Sequence, residues 1–257
     1  MLLTIDIGNT TIQAGVFNRS VLEQTWRLST EHDRLADEYG VLLCSLFQAE
    51  NMEISQIDGA VISSVVPALL PIFEEVCRRF LDIEPLVVTT SLQTGLKISY
   101  EHPSEIGADR IVDAVAAIKR HGPPPLIVVD FGTATVFDAI DKGNVYLGGA
   151  IAPGIGIASE ALFSRASQLA SVDLERPSTA IGRTTKAAVQ AGILFGYVGL
   201  VEGIIARFKA ELGGGRVGGP GGWVERVARE TATIDAVDSE LALYGLQIIY
   251  ELNSESM

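Results

Sequence analysis

One short pattern occurs twice in this chain. An apolar run, Leu2 to Ile5, ends on Asp6 and continues Ile7-Gly8-Asn9-Thr10-Thr11, while a second, Leu126 to Val129, ends on Asp130 and continues Phe131-Gly132-Thr133-Ala134-Thr135. Aligned at the aspartates, both copies have an apolar residue, a glycine, a polar or small pair and a threonine, followed by apolar alternation. The aspartates lie 124 residues apart in a chain of 257, close to half its length. Taken singly, such a motif reads equally well as an ordinary hairpin turn. Two copies, each after an apolar strand at the head of a half, predict two similar domains presenting the same acidic turn.

The rest of the chain supports that architecture. Apolar residues make up 47% of it, enough for a large core. Strand-like segments (GAVISSVVP, EPLVVTT, PLIVVD) alternate with helical ones: 32–50, a helix near Leu69 to Phe80, ASEALFSRASQLA, and a long apolar helix from Thr185 that reads as buried on most sides. The alternation indicates an α/β protein. LGGGRVGGPGGW, residues 212–223, reads as an irregular loop. Its formal G-x-G-x-x-G follows a helix and not a strand, the wrong context for a dinucleotide. No G-x-x-x-x-G-K-[ST] occurs, which excludes a phosphate-loop NTPase.

Charge and cysteine content narrow the partners. The formal charge is −13, from 32 acidic and 19 basic residues without a Lys/Arg cluster, so no nucleic-acid partner is expected. Cys44 and Cys77 suit reduced thiols, and three scattered histidines argue against a histidine metal centre. The longest apolar stretch, Ala187 to Val201 between Lys186 and Glu202, is shorter than the roughly 18 residues of a membrane span. No basic leader precedes the first apolar run, which Asp6 interrupts. A cytoplasmic protein with no membrane partner is therefore expected.

The paired turns carry the chemistry. Two aspartates facing a nucleotide triphosphate would repel it unless cations intervene, and magnesium binds through one or two carboxylates, water and phosphate oxygens. Gly8 and Gly132 allow backbone N–H groups close to such oxygens, and Asn9, Thr10, Thr11 and Thr133 add short donors. A third acidic position, Asp109, heads the apolar helical face formed by Ile111, Val112, Val115, Ala116 and Ile118. There it reads as a helix N-cap or as a general base. Thr184 and Thr185 are likewise both suited to capping the long helix.

The set DIGNTT, SSVVP (63–67), GADR (107–110), DFGTAT, GGAIAPG (148–154) and GRTT (182–185), in that order, resembles type III pantothenate kinases, down to the closing GLQIIYELN. The resemblance implies an α/β fold of two similar actin-like (ribonuclease H-like) lobes with a cleft between them, taken here as residues 1–115 and 116–257. It implies ATP-dependent phosphorylation of pantothenate to 4'-phosphopantothenate, the first step of coenzyme A biosynthesis. By the same resemblance Asp6, Ile7, Gly8, Asn9, Thr10, Thr11, Ile12, Gln13 and Thr133 bind ATP, and Tyr100, Gly107, Ala108, Asp109, Arg110 and Thr185 bind pantothenate. Asp109 is the proton acceptor, Asp130 holds a monovalent cation (K+ or NH4+), and Asp6 contacts Mg2+. A homodimer is also implied. The sequence departs from the family at Pro220, where relatives commonly carry the threonine of A-T-G-G, a segment near the adenosine, and at Thr184 in place of asparagine. Two other readings stay open: a related kinase acting on another small hydroxy or acid substrate, and a non-catalytic nucleotide-sensing relative.

Overall fold

A computed structural model describes every residue except 167, 168, 170, 222 and 255–257. The chain begins with an antiparallel meander of β1 (Leu2–Ile7), β2 (Thr11–Asn18) and β3 (Val21–Ser29). Helix α1 (Ala36–Ala49) leads to β4 (Gly59–Ser64), which pairs parallel with β1, and α2 (Leu70–Val76) leads to β5 (Leu86–Val87). The sheet order is β3-β2-β1-β4-β5. Next come β6 (Lys97–Ile98) and α3 (Ala108–Arg120), then a second meander of β7 (Leu126–Phe131), β8 (Ala134–Ile140) and β9 (Val145–Pro153). It is followed by α4 (Ile155–Arg165), α5 (Thr185–Leu212), β10 (Arg216–Gly219), α6 (Trp223–Ala228), β11 (Ala236–Val237) and α7 (Leu241–Ser254). The second sheet runs β11-β10-β7-β8-β9-β6. Read outward from their first strands, β1 and β7, the sheets have the same order, with β6 added at the edge of the second. Repetition of the acidic turn in sequence is thus repetition of a whole α/β sheet in space, the two-lobed actin-like class.

The chain divides into two compact units, Met1–Leu96 with Glu101–Ala116 and Leu241–Met257, and Lys97–Tyr100 with Ala117–Glu240. Besides a one-residue shift of the boundary in α3, this differs from a cut at 115/116 in that the edge strand β6 joins the second unit and α7 returns to the first. The reason for the return is apolar. Alternate residues of β1 (Leu3, Ile5, Ile7) pack with Ile12 into a core with Tyr39, Leu43 and Phe47 of α1 and Phe73 of α2. The other face of the sheet needs a cover as well, because a central strand flanked on both sides reads as a continuous apolar run. Helix α7 supplies it, with Leu241, Leu243, Leu246 and Ile249 fully buried and Tyr244 edge-on to Phe17 at 5.2 Å. In the second unit Ile127, Val129 and Phe131 pack under Val201 and Ile205 of α5 and Val224 and Val227 of α6.

Some expectations are corrected. The glycine-rich segment 212–223 is not a plain loop: it contains β10 and ends at α6, although Gly222 lies outside the described residues. Gly219 ends that strand, and it must be glycine because a Cβ there would lie 1.9 Å from the Val129 carbonyl oxygen. The long helix is not buried on most sides, since only 39% of its most apolar window is covered, and by length and composition it is apolar enough to cross a bilayer. Its Val198, Val201 and Ile205 nevertheless seat it on the second sheet. The helix expected over 158–170 ends at Arg165, and 167, 168 and 170 lie outside the described residues.

Candidate active site

Strands β1 and β7 have the same burial pattern, in which the aspartate is the only residue not buried. Asp6 and Asp130 therefore sit where each first strand emerges from its core. In the first unit the turn after Asp6 is closed by the Gly8 N–H donating to the Thr11 carbonyl (3.1 Å). It is held from behind by Thr30, whose N–H donates to the Thr10 carbonyl at 3.1 Å and whose hydroxyl donates to the Gly8 carbonyl at 2.7 Å. Asn9, Thr10 and Thr11 are exposed, and half-buried Gln13 pairs across from Asp6. Ile7 and Ile12 are 0% exposed, so only their backbone can meet a ligand.

The second turn is one residue tighter. Ile7 pairs with Ile12 in the first hairpin, but Phe131 pairs with Thr135 in the second. The shared threonines consequently differ: Thr11 is exposed, whereas Thr135 is buried and donates to the Pro153 carbonyl (3.4 Å). Thr133 occupies the turn itself. Its carbonyl accepts from the N–H of Gly154, the residue that caps α4, at 3.1 Å. A Cβ on Gly154 would fall 2.3 Å from the Thr133 carbonyl oxygen and 2.5 Å from that of Gly132. GGAIAPG thus brings one helix terminus against the second acidic turn, and only glycine fits there.

Asp109 lies in the first turn of α3, inside the helix and not at its N-cap. Its Oδ1 accepts the Arg110 N–H at 2.8 Å. Burial raises its pKa above the usual aspartate value, against the opposing Arg110 N–H and guanidinium. Gly107 belongs to this arrangement, because a Cβ there would lie 2.4 Å from Asp109 Oδ1. Gly107, Ala108 and Arg110 are all half-buried beside it.

The sequence pattern of type III pantothenate kinases matches residues 2–207. The chain belongs to this family. Proteins named type III pantothenate kinase from Brevibacillus brevis and Moorella thermoacetica are each 48% identical to it, over 98% and 99% of this chain and 99% and 100% of theirs. One from Roseiflexus is 49% identical over 98% of this chain and 99% of its own. Among solved structures, one assigned to a 2-dehydro-3-deoxygalactonokinase from Sinorhizobium meliloti has a TM-score of 0.63 at 16% identity, covering 98% of this chain and 96% of the other. The ethanolamine utilization protein EutJ from Carboxydothermus hydrogenoformans gives 0.55 at 15% identity, covering 96% and 89%. At those identities the likeness is one of fold.

In this type III pantothenate kinase family member the remaining candidates fall in the second unit. Thr184 is the cap of α5, its side chain accepting the Ala187 N–H at 3.2 Å. That leaves Thr185, exposed at the first helical position, without the capping role. Thr184, Thr185 and Arg183 border an open pocket of about 1040 Å³ walled by Ala188, Gly192 and Leu200 of α5. Tyr100, half-buried, follows the short edge strand β6. Pro220 directly follows β10, whose Gly218 pairs with Val128 two residues before Asp130. Gly154 lies in the GGAIAPG segment and Gly219 in the segment read as a loop, but what makes glycine necessary at each is a contact with the Thr133 and Val129 carbonyls, which sequence does not show.

Proposed function

We propose that this family member transfers the γ-phosphoryl group of ATP to the primary hydroxyl of pantothenate, giving 4'-phosphopantothenate. The observation that carries the reading is Asp109: a half-buried carboxylate with one oxygen fixed by its own helix, which in this reading accepts a hydroxyl proton. Phosphoryl transfer through a loose transition state asks the base more for position than for basicity. The Arg110 N–H supplies position by fixing the carboxylate plane.

In this reading residues 6–13 and Thr133 bind ATP, with Ile7 and Ile12 contributing backbone alone. Tyr100, Gly107, Ala108, Arg110 and Thr185 bind pantothenate, whose carboxylate suits a guanidinium that can donate two hydrogen bonds. Among the described residues no group of three or more His, Cys, Asp or Glu side chains forms a metal cage. Single half-buried carboxylates at Asp6 and Asp130 instead fit ions that draw their other ligands from phosphate and water. Asp6 would hold Mg2+ and Asp130 a monovalent cation, K+ or NH4+, which neutralise phosphate charge when bound. Pro220 has no N–H to offer near the adenosine, so nucleotide selectivity is relaxed while phosphate binding is retained.

The same reading makes the protein a cytoplasmic homodimer with a second copy packed on α5. The open space over Gly192, Gly196 and Gly199, where a Cβ would meet nothing within 4 Å, supports it. Small residues let two helices approach closely.

The deciding experiment is pantothenate-dependent ADP release with K+ against Na+, for wild type and Asp109→Asn. The expected result is K+-dependent turnover that falls by about 10²-fold or more in the variant. Bound ATP without pantothenate-dependent turnover would overturn the kinase reading in favour of a nucleotide-sensing relative.

A further inference from the structure

Strand β9 carries an irregularity beside Tyr100. Ala139 pairs with Gly148 but Ile140 pairs with Tyr146, so Leu147 is an extra residue, bulged outward and 43% exposed. Bulges commonly re-aim side chains next to functional sites. Here the bulge is followed by Gly148 at φ +116°, a conformation L side chains rarely adopt. A Cβ on Gly148 would sit 3.0 Å from Cε2 and 3.2 Å from Cδ2 of Tyr100. The Tyr100 ring therefore rests on the bare backbone of Gly148.

A second wall is fixed by a buried polar pair. The Tyr146 ring lies 6.4 Å from that of Tyr100, tilted by 56°. Tyr146 is 1% exposed, and its hydroxyl donates to Oδ1 of Asp138, itself 3% exposed, at 2.6 Å. Its carbonyl accepts the Ser99 N–H at 2.9 Å, tying the residue before Tyr100 to the same strand. A carboxylate buried this deeply is costly unless bonded, so the short bond to Tyr146 compensates part of that cost and locks the ring.

We infer that Gly148, Tyr146 and Asp138 are positioning residues that set the orientation of Tyr100 and, through it, the affinity for the pantothenate-like substrate. This rests on the assignment of Tyr100 as a substrate contact. None of the three needs to touch ATP or Asp109, so their effect is confined to one substrate. The first glycine of GGAIAPG is a seat for an aromatic side chain, whereas its last, Gly154, serves the phosphate turn.

The test separates KM from kcat for Tyr100→Ala, Gly148→Ala and the double variant. Gly148→Ala is expected to raise the KM for pantothenate about fivefold or more, with kcat and the KM for ATP within about twofold, the signature of lost substrate binding alone. In the Tyr100→Ala background it should add nothing, because the two residues act as a unit. If Tyr100→Ala itself leaves the pantothenate KM unchanged, the substrate assignment fails and the inference with it. A raised KM in Tyr100→Ala but not in Gly148→Ala overturns the inference alone. So does a Gly148→Ala effect that persists in full without Tyr100, or one that falls equally on ATP. Should Gly148→Ala not fold, Tyr146→Phe decides on the same criteria, with a pantothenate KM raised about twofold or more only when Tyr100 is present.

Discussion

Gly154→Ala is the sharpest probe of how the second acidic turn is held. The added methyl would stand 2.3 Å from the Thr133 carbonyl oxygen, about 0.7 Å inside the closest approach a Cβ tolerates, 3.0 Å. Both obstructing atoms are backbone oxygens of the turn and cannot rotate away. Either the turn or the head of α4 must move, and the Gly154 N–H bond to Thr133 is lost with it. Overpacking of this kind costs about 1–3 kcal/mol, and the hydrogen bond adds about 0.5–1.5 kcal/mol. Together that is about 2–4 kcal/mol, or a melting point lower by roughly 5–15 °C for a chain of this size. If the turn binds phosphate as proposed, moving it by a sizeable fraction of an ångström should also lower kcat/KM for ATP by about 10-fold or more. Differential scanning calorimetry and initial rates at saturating pantothenate measure the two effects. A variant with unchanged melting point and unchanged ATP kinetics would refute both the contact and the role of the turn.

Three further outcomes follow from the structure. The folded-state pKa of Asp109 lies above its ordinary value of 3.8, so the folded protein binds the proton more tightly and its stability falls as pH rises through that range. Asp109→Asn should therefore melt higher than wild type at pH 7 and equally near pH 3. In wild type the acidic limb of kcat/KM should lie above the ordinary aspartate range. Thr184→Ala removes the α5 cap and should cost about 1 kcal/mol of stability, whereas Thr185→Ala should leave the melting point unchanged and raise the KM for pantothenate. The reverse pattern would exchange their roles. Burial pushes the Cys77 thiol up to about 12, while Cys44 is partly exposed, so a thiol reagent at pH 8 should label Cys44 and spare Cys77 in the native state. Mass mapping showing Cys77 labelled first would contradict its burial.

Much of the fold could be read from Asp6 and Asp130. Their repetition gave two sheets of one order because an apolar strand ending in a carboxylate and glycine is a local pattern, and local patterns survive in sequence. Register did not survive: the ungapped alignment equates Thr11 with Thr135, but the tighter second turn turns one outward and buries the other. Glycine misled for a related reason. A run such as 213–219 signals a loop by composition, yet Gly218 and Gly219 lie in a strand paired with β7 and β11, and they are glycines because His121 and the Val129 carbonyl leave no room for a Cβ. Ile7 and Ile12 belong to the first acidic-turn motif by position and to the core by side chain. The choice between Thr184 and Thr185 as cap needed coordinates, since either hydroxyl could serve until the helix start was fixed.

Helix α7 has a consequence for synthesis. The first unit is assembled from separated stretches of chain, and the face of β1 and β2 that α7 covers stays open until residues from Leu241 onward exist. Leu243 reaches Gly15, more than 220 positions earlier, closely enough that a Cβ there would lie 2.8 Å from its Cδ1. On the ribosome, then, the half translated first is the half completed last. The second unit, continuous but for β6, can close its own sheet while the first still shows water an apolar surface that a chaperone could shield.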